Sequence, residues 1–152
     1  MTTQQMAQFE GFVQQVEPGL RKALTGHMPT SLVHDALGEA FAYAWEHWAQ
    51  MQTLDNPGGY LFRVAQSRSR GRLQGALPAP DPARTPDVEP RLVAAMRGLP
   101  EQQRSAVWLV HACGWTYREA AEAMGVSTSA VGTHVGRGVT ALRDRLGVTG
   151  ND

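Results

Sequence analysis

The stretch GWTYREAAEAMGVSTSAVGTHVGRGVTALRDRL, residues 114–146, decides the fold. Thr116 followed by Glu119 has the spacing of a capping box and marks a helix start. Ala120, Ala121 and Met124 supply a small apolar face, and Gly125 stands where the chain needs a positive φ to leave that helix. Ser127 can cap the next helix. From there Val131, Val135, Leu142 and Leu146 recur at helical spacing, which turns one side of the second helix inward and predicts that Ser129, Gly132, Thr133, His134 and Arg137 face outward. The pattern is that of a helix-turn-helix, whose second helix enters a DNA major groove. A plain helical hairpin would account for the apolar stripe but not for Ser127, Thr128, Ser129 and Thr133, whose hydroxyls and nearby backbone N–H groups suit phosphate oxygens.

Upstream, ALPAPDPARTPDVEP, residues 76–90, places five prolines in fifteen residues without apolar periodicity, and reads as an extended linker. On either side the pattern is helical, with no period-two alternation of strands. In the first part Phe9, Val13, Val16 and Leu20 mark one amphipathic helix. Pro29-Thr30-Ser31 opens a second, with Val33, Leu37, Ala40, Phe41, Ala44 and Trp48 at helical spacing. A third starts near Pro57, in the turn LDNPGG, and runs to about Gln74. Leu61, Val64 and Ala65 are expected to form its inner face, with Arg63, Gln66, Ser67 and Arg70 on an outer arc that is polar, basic and free of carboxylates. The expected architecture is therefore all-α, two small helical domains over residues 1–75 and 91–148 joined by the linker at 76–90.

The formal net charge is zero, which by itself argues against a nucleic-acid partner. Its distribution argues the other way. Residues 1–55 hold two basic residues against six acids; residues 56–76 hold four arginines and no acid. Residues 77–90 carry one arginine against three acids, and residues 91–152 seven arginines against five acids. Neutrality is a sum of opposed patches, and a basic helix on the same chain as a helix-turn-helix favours a nucleic-acid role for both.

Other classes find little support. The lone Cys113 leaves no disulfide within the chain and no Cys-rich zinc site, and its apolar helical setting predicts a small buried side chain. His27, His34, His47, His111 and His134 form no metal-spaced set, and neither an activated nucleophile motif nor a Gly-rich phosphate loop after a strand is present, so no catalytic residue and no cofactor is assigned. MTTQQMAQFEGF lacks the basic and apolar segments of a signal peptide, and nothing approaches the ~20 apolar residues of a membrane span. A cytoplasmic protein is expected.

With these features together, the chain resembles the RNA polymerase sigma factors of the sigma-70 family, in their extracytoplasmic-function (ECF) group, over residues 9–74 and 91–147. DALGEAFAYAW, with Asp35, Glu39, Phe41, Ala44 and Trp45, is similar to the acidic, aromatic helix of sigma region 2, and NPGGYLFRVAQSRSR to its promoter-reading helix. LPEQQRSAVWLVHACGWTYREAAEAMGVSTSAV is similar to region 4, with a Leu-Pro helix start, an apolar helix and the helix-turn-helix.

The resemblance implies a mechanism. Region 2 recognises and opens the −10 element, region 4 docks on the −35 element, and core RNA polymerase is the partner of both. It implies DNA contacts by Arg63, Ser67 and Arg70, and by Ser127, Thr128, Ser129, Thr133, His134 and Arg137, with Asp35 and Glu39 meeting the polymerase clamp. It also admits an anti-sigma factor. Val107, Trp108 and Val110 are candidates for packing on the polymerase flap, and each could equally be core. The chain departs from the family in its recognition helix. Gly132, Gly136 and Gly138 interrupt it, at a cost of roughly 1 kcal/mol each relative to alanine. The usual positive charges at Gly132, Gly136 and Val139 are missing. This predicts a helix that is marginal when free, and gains in helicity for Gly136→Ala and Gly138→Ala. Two readings besides a sigma factor stay open: a stand-alone helix-turn-helix regulator, which leaves the N-terminal bundle without a task, and a sigma-like regulatory protein without sigma activity.

Overall fold

The structure, a computed structural model, describes residues 2–73 and 90–147. Every regular element among them is a helix. The chain divides into two compact units, Met1–Pro78 and Ala79–Asp152. The Pro-rich segment at 76–89 lies outside the described residues.

The first unit begins with α1, Thr3–Thr25. Thr2 and Gln5 form a reciprocal capping box: the Gln5 N–H donates to Thr2 Oγ1 (3.1 Å) and the Thr2 N–H to Gln5 Oε1 (2.9 Å). Leu20, Ala23 and Leu24 are buried at its C-terminal end. Towards its N-terminal end Phe9 and Phe12 pack edge-on against Trp48, at centroid distances of 5.3 and 5.2 Å. Helix α2, Thr30–Glu46, buries Val33, Ala36, Leu37, Ala40 and Ala44. The alanines recur every fourth residue, and this low stripe allows a neighbouring helix to approach closely.

The expected continuity of α2 through Trp48 is interrupted at His47, whose backbone (φ −119°, ψ 36°) leaves the helical region. The short α3, Trp48–Met51, then turns both its end residues into the core. Helix α4, Pro57–Leu73, starts at the expected proline. There the Asn56 side-chain oxygen accepts the Gly59 N–H (3.1 Å), satisfying a donor that the helix start leaves over.

The inner face of α4 is Leu61, Phe62, Ala65 and Ser69, with Val64 only half-buried, so the expected placement of Val64 is corrected. Both α1 and α2 pack against α4. Its buried arc is therefore wider than one contact line and swings to the side carrying Phe62, where the His27 ring meets Phe62 edge-on at 4.9 Å.

The second unit contains α5 (Pro90–Arg97), α6 (Glu101–Val107) continuing into a π-helical turn (Trp108–Ala112), α7 (Tyr117–Met124) and α8 (Thr128–Leu146). Its core is built from Met96, Leu99, Val107, Trp108, Leu109, the alanines of α7, Val131, Val135 and Leu142. Val107 and Trp108 are thus core residues, while Val110 is half-buried. Cys113, expected to be buried, is half-buried at the end of the π-turn, where its N–H reaches back to the Trp108 carbonyl (3.0 Å). Gly114 at φ +71° then reverses the chain, and the Trp115 N–H closes on the Leu109 carbonyl (2.9 Å).

Helix α8 runs unbroken through all three glycines. Tertiary burial of Val131, Val135 and Leu142 offsets what the glycines cost an isolated helix. Gly138 has a task of its own. A Cβ there would stand 2.6 Å from Val107 Cγ2 and 3.4 Å from the Gln103 carbonyl oxygen, so α6 crosses α8 at a point where only hydrogen fits. The expected gain for Gly138→Ala is therefore corrected to a loss. Gly136 is exposed with open space around it.

Candidate nucleic-acid interface

Two helices present the residues singled out by sequence, one in each unit. In the second unit the geometry rests on the caps of α7 and α8. Thr116 and Glu119 cap α7 reciprocally: the Glu119 N–H donates to Thr116 Oγ1 (3.0 Å) and the Thr116 N–H to Glu119 Oε1 (2.9 Å). Gly125 terminates α7 in the left-handed conformation at φ 70°. Two residues later Ser127 caps α8, its hydroxyl accepting the Ala130 N–H (3.1 Å). The result is a tight turn between a short helix and a long one, with Val131 and Val135 fastening the long helix to the domain.

On α8 the side chains of Ser127, Thr128, Ser129, Thr133 and Arg137 are exposed. Their hydroxyls are partly engaged at home. Thr133 Oγ1 donates to the Ser129 carbonyl (3.2 Å), and Ser127 Oγ and Ser129 Oγ lie 3.3 Å apart. His134 departs from the expected outward face: it is half-buried, and its Nδ1 is enclosed without a hydrogen-bond partner among the described residues. Helix α7 adds a residue to this face that the helical phase of α8 does not reveal. Tyr117, in the first turn of α7, is 42% exposed, and a Cβ built on Gly132 would meet its Cε2 at 3.4 Å. An aromatic ring thus stands over the gap where α8 lacks a side chain. The bare Gly132 was the available signal, because a gap on one helix invites a large neighbour on the next.

In the first unit Arg63 and Ser67 are exposed on α4, Gln66 is half-buried, and Arg70 belongs to the helix with its side chain outside the described residues. Next to this arc lies a cluster that periodicity alone had not revealed. The Tyr43 and Tyr60 hydroxyls share a hydrogen bond (2.9 Å), the His47 ring stacks on Tyr43 at 4.0 Å, and the Arg68 guanidinium lies over the Tyr43 ring at 5.5 Å. The hydrogen bond with Tyr60 raises the Tyr43 phenol above its ordinary value; burial and the Tyr60 oxygen's field add to this, and the Arg68 charge opposes it. On α2, Asp35 is exposed and Glu39, one turn on, is half-buried. Trp45, 39% exposed, leans edge-on against Phe9 at 5.0 Å, so the acidic helix also carries an aromatic flank. Among the described residues no group of three His, Cys, Asp or Glu side chains could hold a metal ion, and no helix is long and apolar enough to cross a membrane.

This arrangement of capped short helix, three-residue turn and fastened long helix coincides with a family match over residues 90–142, to sigma-70, region 4. The second unit is thus similar to sigma-70, region 4, over most of its described length. Among solved structures the chain is similar to the sigma factor RpoE in complex with the anti-sigma factor NepR from Bartonella quintana, at 24% identity and a TM-score of 0.73 over 93% of this chain and 98% of that one. It is also similar to CnrH in complex with the cytosolic domain of CnrY, at 23% identity and a TM-score of 0.68 over 91% of this chain and 87% of that one. No curated protein matches the chain in sequence. The resemblance to the sigma-70 family is thus borne out over residues 90–142 by the family match, and the all-α fold by the solved sigma factors.

Proposed function

We propose that the protein is an ECF-type sigma factor, which binds core RNA polymerase and directs transcription initiation, reading the −10 element with its first unit and the −35 element with its region 4 domain. One observation carries this reading: a region 4 domain occurs on the same chain as a helical unit whose α4 exposes Arg63 and Ser67, and the fold of the whole chain is that of solved sigma factors. A stand-alone regulator would use the region 4 domain and leave the first unit idle.

Opening DNA requires capture of unstacked bases. Arg63, Ser67 and Arg70, on α4 beyond the loop Thr53–Asn56 that leads into it, supply phosphate grips and polar contacts for it. In the region 4 domain Ser127, Thr128, Ser129, Thr133 and Arg137 face the −35 duplex, and His134 supports the helix from its flank. Asp35 and Glu39 on α2 meet the polymerase clamp, since like charge keeps DNA off that surface while opposite charge on a partner steers it on. A role beside polymerase and promoter DNA places the protein in the cytoplasm, and an anti-sigma factor is a further partner in keeping with the complexes of RpoE and CnrH.

Run-off transcription with purified core polymerase tests the reading: specific transcripts that require the protein support it. Polymerase binding without any transcript would favour the sigma-like regulatory protein instead.

A further inference from the structure

We infer that Tyr117 is a base-reading residue of the region 4 domain, taking the C5-methyl group of a thymine in the −35 element against its ring. The inference rests on the sigma reading above and adds a specificity-determining residue to it.

The outward face of α8 carries a single exposed arginine, Arg137, before Arg143. Around it stand the hydroxyls of Thr128, Ser129, Thr133 and Thr140 and the bare backbone at Gly132 and Gly136. At about 100° per residue, Gly132 and Gly136 share one flank of the helix. That flank has no side chain of its own at either position, so DNA can come close to the helix there, and Gly136 has no atom within 4 Å of where its Cβ would be. The Tyr117 ring borders this bare flank, in van der Waals range of a Gly132 Cβ (3.4 Å to Cε2, 3.8 Å to Cδ2), and is 42% exposed.

An exposed aromatic ring beside a groove-facing helix can do one of two things. Its hydroxyl can reach a phosphate, or its carbon surface can pack on a base edge. The second explains the chemistry around it. In the major groove a thymine is distinguished from every other base by an apolar methyl, and a surface nearly without cations gains selectivity from such contacts rather than from guanidinium forks to guanine. Tyr117 is the large apolar surface at this border: its ring covers the bare backbone at Gly132, and the open space at Gly136, one turn on, leaves room for the methyl beside it.

The test uses the full-length protein in holoenzyme with core polymerase. Promoters are selected from templates with a randomised upstream element, and each thymine of the selected element is then replaced singly by uracil, which removes only the methyl. The wild type is expected to lose about four-fold in open-complex formation at one position, the worth of one buried methyl-sized group. Tyr117→Phe keeps that loss, and Tyr117→Ala binds more weakly and no longer distinguishes uracil from thymine. The Thr116–Glu119 capping box remains in both variants, and matching thermal melts establish that they fold.

Indifference of the wild type to uracil at every position overturns the inference, as does a uracil penalty that persists in Tyr117→Ala. Equal loss in Tyr117→Phe and Tyr117→Ala with uracil tolerated overturns it in favour of a hydroxyl–phosphate contact. If no template is transcribed, the sigma reading itself falls, an outcome distinct from transcription without methyl discrimination.

Discussion

Glycine at two positions of one helix has opposite meanings. At Gly138 the α6–α8 crossing leaves no room for a methyl, and Gly138→Ala is expected to destabilise the second unit by about 1–3 kcal/mol, the usual cost of overpacking. At Gly136 there is open space, and Gly136→Ala is expected to stabilise the domain by about 0.5–1 kcal/mol. Chemical denaturation of the two variants checks both signs, and equal signs would refute the assignment of Gly138 to the crossing. Composition showed only that these glycines weaken a helix; which of them is a packing requirement depends on Val107 and Gln103, about thirty residues away in sequence.

Tyr43 gives a residue-scale expectation of another kind. Its phenol is held above the ordinary value mainly by Tyr60, so the folded state keeps the proton where the unfolded chain would lose it. The stabilisation from this group is complete below the ordinary phenol value of about 10 and is lost as pH rises through the higher folded value. Ultraviolet titration of tyrosinate should show a late-ionising phenol in the wild type and an earlier one in Tyr60→Phe. A titration unchanged by that substitution would remove Tyr60 as the cause.

Among the elements, those with local signals were legible and those set by packing were not. The capping box at Thr116–Glu119, the left-handed exit at Gly125, the Ser127 cap and the start of α4 at Pro57 each depend on residues within one turn, and each stands where the sequence put it. The break at His47, the π-helical turn at Trp108–Ala112 and the rotation of α4 toward Phe62 have no such local cause. Each answers to how a helix fits against its neighbours. In the candidate interface, the exposed hydroxyls and Arg137 of α8 and Arg63 and Ser67 of α4 were legible from helical phase. The half-buried placement of His134 and the seat of Tyr117 over Gly132 were not, because both are contacts at a flank, where a few degrees of rotation decide inside from outside. A local prediction follows. Thr116→Ala removes one half of the α7 cap and should cost about 1 kcal/mol, read as a lower thermal midpoint, while Thr128→Ala, outside any cap, should leave it nearly unchanged.

At the scale of the whole molecule the balance of charge is divided by task. Asp35 and Glu39 on α2 and the arginines of α4 belong to different helices of the first unit, so the two proposed functions separate by mutation. Charge reversal at Asp35 and Glu39 should weaken the complex with core polymerase, and wild-type affinity in that double variant would sink the assignment. Replacing Arg63 and Arg70 by alanine should abolish promoter opening while leaving polymerase binding nearly intact. Permanganate reactivity of melted thymines measures this, and unchanged reactivity would mean that the arginines are only solvated.

Arg91 and Arg145 give the second unit a further property. The Arg91 guanidinium donates to the carbonyl of Leu146 (3.1 Å) and that of Arg145 to the carbonyl of Ala95 (3.0 Å), joining the first helix of the domain to the end of its last. The polypeptide thereby returns to its point of entry, and the domain is topologically close to a ring. A ring can be opened elsewhere: joining residue 147 to residue 90 through a short glycine-rich bridge and cutting the chain at the exposed Gly114 should still yield a folded domain, read by its circular dichroism and thermal melt.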